Sequence, residues 1–450
     1  MAFLHRLAFA GTLAVLLLVT PELSAGQPGT GTKPQPNPAN SAPPPAATSP
    51  RSEQAYSLSP DKLREAIALS KIRVAVDIVG SIWGLIVLWG LLATGTATRL
   101  DGWTRERMKR GWLQGAVFFA VLLVILALAN LPVDLVAHAA SLHFRISIQA
   151  WAPWFVDQAK GLGVSLLIAI PLALFFNWIV RRSPRRYWLW IWIICLPLIV
   201  ISVFLAPLVL DPIFNKFSPL ETSHPRLVAK LEEVVARTGT RIPPSRMFLM
   251  KASEKSNGIN AYVTGIGSSK RFVMWDTTMN RMPDDEIMFI FGHESGHYVL
   301  NHIPKGIALS MMGLFFMFWI CAHFAEWMVR RFGERWHVGS VESRTGFLTL
   351  LFALSVAQFV VTPVDNAVSR HFEHEADVYG QEAVHGLVSD PQKTAVSSFN
   401  HLGEAWLDDP NPNAFVEFWS YSHPSVQDRA QFAEHYNPWA NGGHGRFFMK

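Results

Sequence analysis

Six long stretches of almost unbroken apolar residues dominate the chain, at about residues 74–96, 112–133, 161–180, 187–210, 304–329 and 345–364. At ~1.5 Å per residue, each is long enough to cross the ~30 Å hydrocarbon layer of a membrane as a helix. The fifth is the most polar, with Lys305 at one end and His323 and Glu326 near the other. Such groups need a protein or aqueous lining, and Asp77 in the first stretch is expected to face another helix or an interior space for the same reason. Tryptophans gather near the ends, Trp103, Trp112, Trp151, Trp154, Trp178, Trp188, Trp327 and Trp336 among them, as at a membrane interface. The pattern predicts a mainly α, multi-pass membrane protein.

The chain opens differently. Arg6 precedes the short apolar run Leu7–Val19, then Pro21 and the small residues Ser24-Ala25-Gly26, so residues 1–25 read as a signal peptide or an N-terminal anchor helix. Eight prolines among Gly, Thr, Ser, Asn and Ala fill residues 26–50, and 26–58 is expected to be a disordered linker. Residues 59–210 then hold four spans, and 304–365 hold a pair. Between them, 211–303 switches to short strand patterns at Arg246–Met250, Asn260–Thr264 and Arg271–Trp275, followed by a helix from Pro283 to His302. Asp284, Asp285 and Glu286 occupy its first turn, where the helix dipole favours acids. Residues 366–450 form a second non-membrane part.

Charge sets an orientation. Residues 97–111 carry five Lys/Arg, 181–186 read Arg-Arg-Ser-Pro-Arg-Arg, and 330–344 carry four Arg, whereas 134–160 hold only Arg145 and Lys160. Counting spans puts the three basic loops on one side, which the positive-inside rule makes cytoplasmic, and the two non-membrane parts on the other face. Only 16% of the 450 residues are charged, against roughly a quarter in soluble domains, which excludes an ordinary soluble globule. A net charge of +5 is too small to suggest a nucleic-acid partner. Cys195 and Cys321 each lie in an apolar run, so neither a disulfide scaffold nor a thiolate metal site is available.

The chemistry concentrates in His293-Glu294-Ser295-Gly296-His297. Two histidines four apart on a helix share a face and can both reach one Zn²⁺. Zinc lowers the pKa of a bound water to about 7, and Glu294, beside the metal but off the ligand stripe, can take that water's proton and return it to a leaving amine. His302, five after His297, does not share the ligand face and reads as structural. Two histidines leave a catalytic zinc one protein ligand short. The next candidate stretch is Asn366-Ala367-Val368-Ser369-Arg370-His371-Phe372-Glu373-His374-Glu375-Ala376-Asp377. Glu373 can ligate while Asp377, four on, accepts a hydrogen bond from a ligand histidine. Spacing alone does not separate Glu373 from Glu375, and a solvated charged helix accounts for His371, His374 and Glu375. Histidine and carboxylate donors in this order suit zinc.

Together, Glu373-x-x-x-Ala376-Asp377 behind Ser369-Arg370 and His293-Glu294-x-x-His297 ahead of two apolar spans resemble the type 1 CAAX prenyl protease family of integral-membrane gluzincin metalloendopeptidases. So do Asp211-Pro212-Ile213-Phe214-Asn215-Lys216-Phe217-Ser218-Pro219-Leu220, Asn260-Ala261-Tyr262-Val263-Thr264-Gly265 with Asp276-Thr277, and Tyr421-Ser422-His423-Pro424-Ser425 with Arg429. The likeness runs in order over roughly residues 55–435. It implies one zinc per chain on His293, His297 and Glu373, with Glu294 as general base. It also implies six or seven helices around a water-filled chamber, capped by a protease domain with a small sheet; a seventh span would have to be the N-terminal segment. By motif position His423 and Arg429 could stabilise an oxyanion, and the edge strand containing Asn260, Ala261 and Tyr262 could pair with an extended substrate. Eukaryotic members cleave the C-terminal tripeptide of prenylated proteins; a chain with a secretory-type leader and an outward-facing site need not meet that substrate, so prenyl dependence stays open, as does the choice between protein processing and membrane protein quality control. The partners expected are a peptide or protein substrate and the lipid bilayer. Two rival readings are an intramembrane protease, which the acidic, soluble character of the His293 helix disfavours, and a membrane channel or chaperone with a relic site, which the intact ligand set disfavours.

Overall fold

The structure, a computed structural model, describes residues 55–448. The 1–25 segment and nearly all of the linker lie outside the described residues. Helix α1 (Pro60–Ala93) is followed by the short α2 (Thr96–Arg107), then α3 (Gly111–His143), α4 (Trp151–Arg182) and α5 (Tyr187–Leu205). A π-helical stretch, Ala206–Leu210, and a last turn, Asp211–Phe214, prolong α5. Next come β1 (Phe217–Pro219), α6 (Pro225–Thr238), β2 (Met247–Met250), β3 (Ala261–Thr264), β4 (Arg271–Trp275) and α7 (Asp284–Val299). The chain re-enters the bundle as α8 (His302–Trp336) and α9 (Arg344–Val384), and finishes with α10 (Pro391–Trp406), α11 (Ala414–Ser420) and α12 (Val426–His435). Among the described residues six helices, α1, α3, α4, α5 with its extension, α8 and α9, are long and apolar enough to cross a membrane.

Two of these run well past their apolar stretches. The first turns of α1 pack Ala66 and Leu69 against the protease half. The last twenty residues of α9 continue without a break across Pro363 and residue 365, so the last span and the Glu373 segment are one helix. The three basic loops meet at one end of the bundle. There Thr98 Oγ1 donates to Trp336 O (3.1 Å), Arg181 Nε donates to Glu342 O (3.1 Å), and the buried Arg344 reaches Asp101 and Gln114. At the opposite end the α3–α4 connection bonds to the protease half, Ile148 N donating to Lys255 O (3.0 Å).

The halves have separate cores. Phe118, Phe176, Cys195, Ile199, Cys321, Ala325 and Phe347 fill the helical bundle. Leu231, Val234, Met247, Phe272, Phe289, Phe291 and Phe399 fill the protease half, with Phe289 and Phe399 meeting edge to face at 5.4 Å. A four-stranded sheet in order β1-β2-β4-β3 lies beside α7; β2 and β4 are parallel and both outer pairs antiparallel. β1 is a strand the apolar pattern did not announce, being three residues long and ending in proline. The linker assignment also needs correction at its end. Tyr56 is buried, its hydroxyl donating to Asp408 O (3.2 Å), and its ring fills a slot that only Gly403 leaves open, since a Cβ there would sit 2.5 Å from the ring.

Candidate metal centre

Helix α7 is buried along its length from Glu286 to His293, which suits a core helix more than a surface one. Its partner is α9, and three glycines let the two backbones meet. A Cβ on Gly380 would fall 2.8 Å from His293 N, one on Gly292 3.2 Å from Gly380 O, and one on Gly296 3.0 Å from Tyr379 Cβ. This contact sets His293, His297 and Glu373 facing one point.

His293 Nε2 and His297 Nε2 are 3.2 Å apart, Glu373 Oε2 is 3.3 Å from the first and Glu373 Oε1 3.5 Å from the second. A tetrahedral zinc with bonds of ~2.0–2.1 Å sets its ligand atoms about 3.3 Å apart. The three donors therefore have the separation a single cation demands, and together they are the group of the described residues that could hold one. Two further observations fit a cation: Glu373 Oε2 is buried and accepts no hydrogen bond, and three carboxylates (Glu294, Glu373, Asp377) share the site with one arginine. Burial pushes His297 down to about 3, so its ring is neutral and able to ligate. For His293 burial also opposes charge, but the adjacent carboxylates of Asp377 and Glu373 outweigh it and raise the group, a field that a bound cation would satisfy.

Supporting groups surround the three donors. His293 Nδ1 lies 2.9 Å from Asp377 Oδ1. Arg429 grips Asp377 with two bonds, Nε to Oδ2 (2.9 Å) and Nη2 to Oδ1 (2.6 Å), and its guanidinium stacks over Phe399 at 4.5 Å. Those nitrogens bond Asp377, with Nη2 also 3.7 Å from Glu373 Oε2, so Arg429 meets the candidate ligands through their carboxylates. His423 Nε2 lies 3.3 Å from Glu373 Oε1, with Nδ1 3.0 Å from Ser422 Oγ. Glu294 Oε2 accepts from Val263 N at 3.1 Å, and burial raises its carboxyl to about 7.

That bond ties the general-base candidate to the sheet. Trp275 N donates to Asn260 O (3.0 Å), so alternation turns the main-chain groups of Ala261 and Val263 away from β4, toward the free edge of β3. Asn260 itself lies just before the strand, its N–H donating to Thr278 Oγ1 (2.8 Å), and its Nδ2 is buried without a hydrogen-bond partner. The Tyr262 side chain is buried in the sheet's second small core. Asn366 is turned elsewhere, donating to Trp419 O (2.6 Å). Asp77 lines a small polar pocket with Ser70, Arg73, Asp408 and Tyr421.

One residue read as structural touches a candidate ligand. Helix α7 does not continue to His302; it ends at Val299, and Asn301 takes a left-handed conformation (φ 59°). The reversal carries His302 back onto His297, Nδ1 to Nδ1 at 3.1 Å. An Asn two residues beyond an apolar helix end is the signal that could have revealed it.

Comparison with known proteins extends these observations along the chain. Residues 221–437 match the family model of Peptidase family M48, and residues 44–216 that of the CAAX prenyl protease N-terminal region, described as five membrane helices. The chain is 33% identical over 395 residues to the uncharacterized metalloprotease YhfN of Bacillus subtilis, covering 88% of this chain and 91% of that protein. It is 24% identical over 331 residues to CAAX prenyl protease 1 of Saccharomyces cerevisiae, covering 70% and 71%. The crystal structure of S. mikatae Ste24p shares the fold, with a TM-score of 0.72 at 21% identity over 85% of this chain and 91% of that one. Matched through both its membrane and its protease halves, the chain belongs to peptidase family M48, as a multi-pass membrane metalloendopeptidase of the CAAX prenyl protease type.

Proposed function

We propose that the chain binds one Zn²⁺ through His293 Nε2, His297 Nε2 and Glu373, and cleaves extended polypeptide segments laid along the free edge of β3. The observation that carries this reading is the bond from Val263 N to Glu294 Oε2, because it sets the general base directly against an unpaired strand edge. Zinc in such a site would polarise the scissile carbonyl and acidify a water. Glu294 takes the proton of the attacking water and passes it to the leaving amine; a carboxyl raised to about 7 suits both halves of that transfer near neutral pH. Ala261 offers its outward N–H and C=O to the substrate main chain, with Asn260 and Tyr262 fixing the strand on either side. His423, beside Glu373, donates to the developing oxyanion. Asp377 and Arg429 act by positioning: Asp377 holds the His293 ring, and Arg429 holds Asp377.

The site faces away from the cytoplasm. The three basic loops gather at the far end of the bundle from the protease half, and the positive-inside rule supports this assignment. Recognition through the main chain needs no prenyl group. The test is zinc content, and hydrolysis of matched prenylated and plain peptides, by purified wild-type and Glu294→Gln proteins. The expected result is one zinc in each and cleavage of plain peptides by wild type alone. Cleavage of prenylated peptides only would move the substrate to the class the yeast relative is named for, and absence of zinc from wild type would sink the reading.

A further inference from the structure

His297 is held from behind by a chain of contacts that ends outside the matched family region. His302 Nδ1 lies 3.1 Å from His297 Nδ1, and His302 Nε2 lies 3.2 Å from Glu375 Oε2. Arg446 Nη2 donates to Glu375 Oε1 at 2.8 Å. His302 is 3% exposed, its ring stacked on Phe372 with centroids 4.5 Å apart and planes 12° from parallel. The proton positions follow from donor chemistry. An ionised carboxylate only accepts, so His302 Nε2 carries the hydrogen shared with Glu375. The neutral ring's Nδ1 is then an acceptor, and the hydrogen between the two rings belongs to His297 Nδ1. That leaves the lone pair of His297 on Nε2, the atom facing His293 and Glu373.

The outer end of the chain is built with equal care. Glu382, fully buried on α9, accepts from the backbone N–H of three successive residues, Arg446 (2.6 Å), Phe447 (2.7 Å) and Phe448 (3.1 Å), and from the hydroxyl of Tyr436. Gly445 is required for that approach, since a Cβ would lie 2.5 Å from Glu382 Oε2. Phe447 and Phe448 pack on Tyr379, with centroids at 5.5 and 5.0 Å. This segment lies past residue 437, where the family match ends.

We infer that His302, Glu375 and Arg446 form a relay that fixes the tautomer and orientation of His297 for metal binding, with Glu382 clasping residues 446–448 as its anchor. All three act as positioning residues, and the inference rests on the metal-binding reading proposed above. The test is zinc affinity of the full-length protein, measured by chelator competition, with visible absorption of the Co²⁺-loaded protein as a second readout. His302→Phe, which keeps the stack on Phe372, and Glu375→Gln, which keeps shape, are expected to weaken zinc by about 10–100-fold and to shift the cobalt bands. Arg446→Met is expected to weaken it about threefold, with Arg446→Lys restoring the wild-type value. Wild-type affinity and cobalt bands in His302→Phe and Glu375→Gln would overturn the relay while leaving the metal site standing. No zinc in wild type would instead remove the reading on which it depends. A loss in Arg446→Met that Arg446→Lys does not restore would remove Arg446 from the relay.

Discussion

The two histidines of the candidate metal centre are braced by unlike means. Behind His293 stand Asp377 and Arg429, both largely shielded from water, the arginine making two bonds to the carboxylate. Behind His297 stand His302, Glu375 and Arg446, a longer chain whose last side chain is 54% exposed. A buried charge pair cannot lose one partner without stranding the other, at a cost of about 3–5 kcal/mol. An ion pair that ends in solvent contributes only ~0–1 kcal/mol and selects a geometry more than it adds stability. The inner brace is therefore all-or-none, and the outer one can be adjusted by single substitutions.

The largest expected effect leaves both braces intact. Glu294→Gln should keep its metal and lose about 10²–10⁴-fold in peptide hydrolysis, because the donors are untouched and only proton transfer is removed; an active variant would end the general-base assignment. Asp377→Asn comes next. It removes the carboxylate that Arg429 grips with two bonds and leaves only the looser Glu373 contact at 3.7 Å, so zinc affinity should fall by about 10–100-fold and the thermal midpoint should fall with it. The comparison fails if Arg446→Met, at the exposed end of the other brace, costs as much. Gly380→Ala tests the helix contact that brings both braces to one point. A new Cβ 2.8 Å from His293 N should cost about 1–3 kcal/mol in thermal or denaturant unfolding, whereas Gly306→Ala, whose Cβ would meet only Phe372 at 4.0 Å, should change little. The smallest effect is on pH. Burial holds the Glu294 carboxyl up at about 7, so protonation should silence the base on an acid limb of kcat/KM that lies no higher than that pH. A bound cation moves that limb lower, and a limb above pH 7 would contradict the assignment.

The six spans were legible because each is an apolar run long enough to be nothing else, and the HExxH segment because its spacing matches one turn of a helix. What could not be read depended on contacts between distant segments. Glu373 and Glu375 are equivalent in spacing; packing against α7 separates them, setting one at the histidine Nε2 atoms and the other at His302. Gly292 and Gly296, four apart on one face of α7, have a meaning that appears only when Gly380 of α9 meets them. The contact of His302 with His297 is not legible in the spacing, because it depends on the left-handed turn at Asn301 that ends α7. Arg429 sits at its motif position, but only the fold reveals that its nitrogens are occupied by Asp377.

Helix α9 joins the membrane to the metal centre in one piece. Arg344, at the end where the basic loops meet, and Glu373 are separated by about 44 Å of uninterrupted helix at 1.5 Å rise per residue. A span answers a thicker or thinner bilayer by changing its tilt, and here no loop lies between the tilting segment and the carboxylate. A change in bilayer thickness is therefore expected to be felt at Glu373. Acyl-chain length in reconstituted vesicles should alter the enzyme's turnover even when the peptide presented is fully water-soluble.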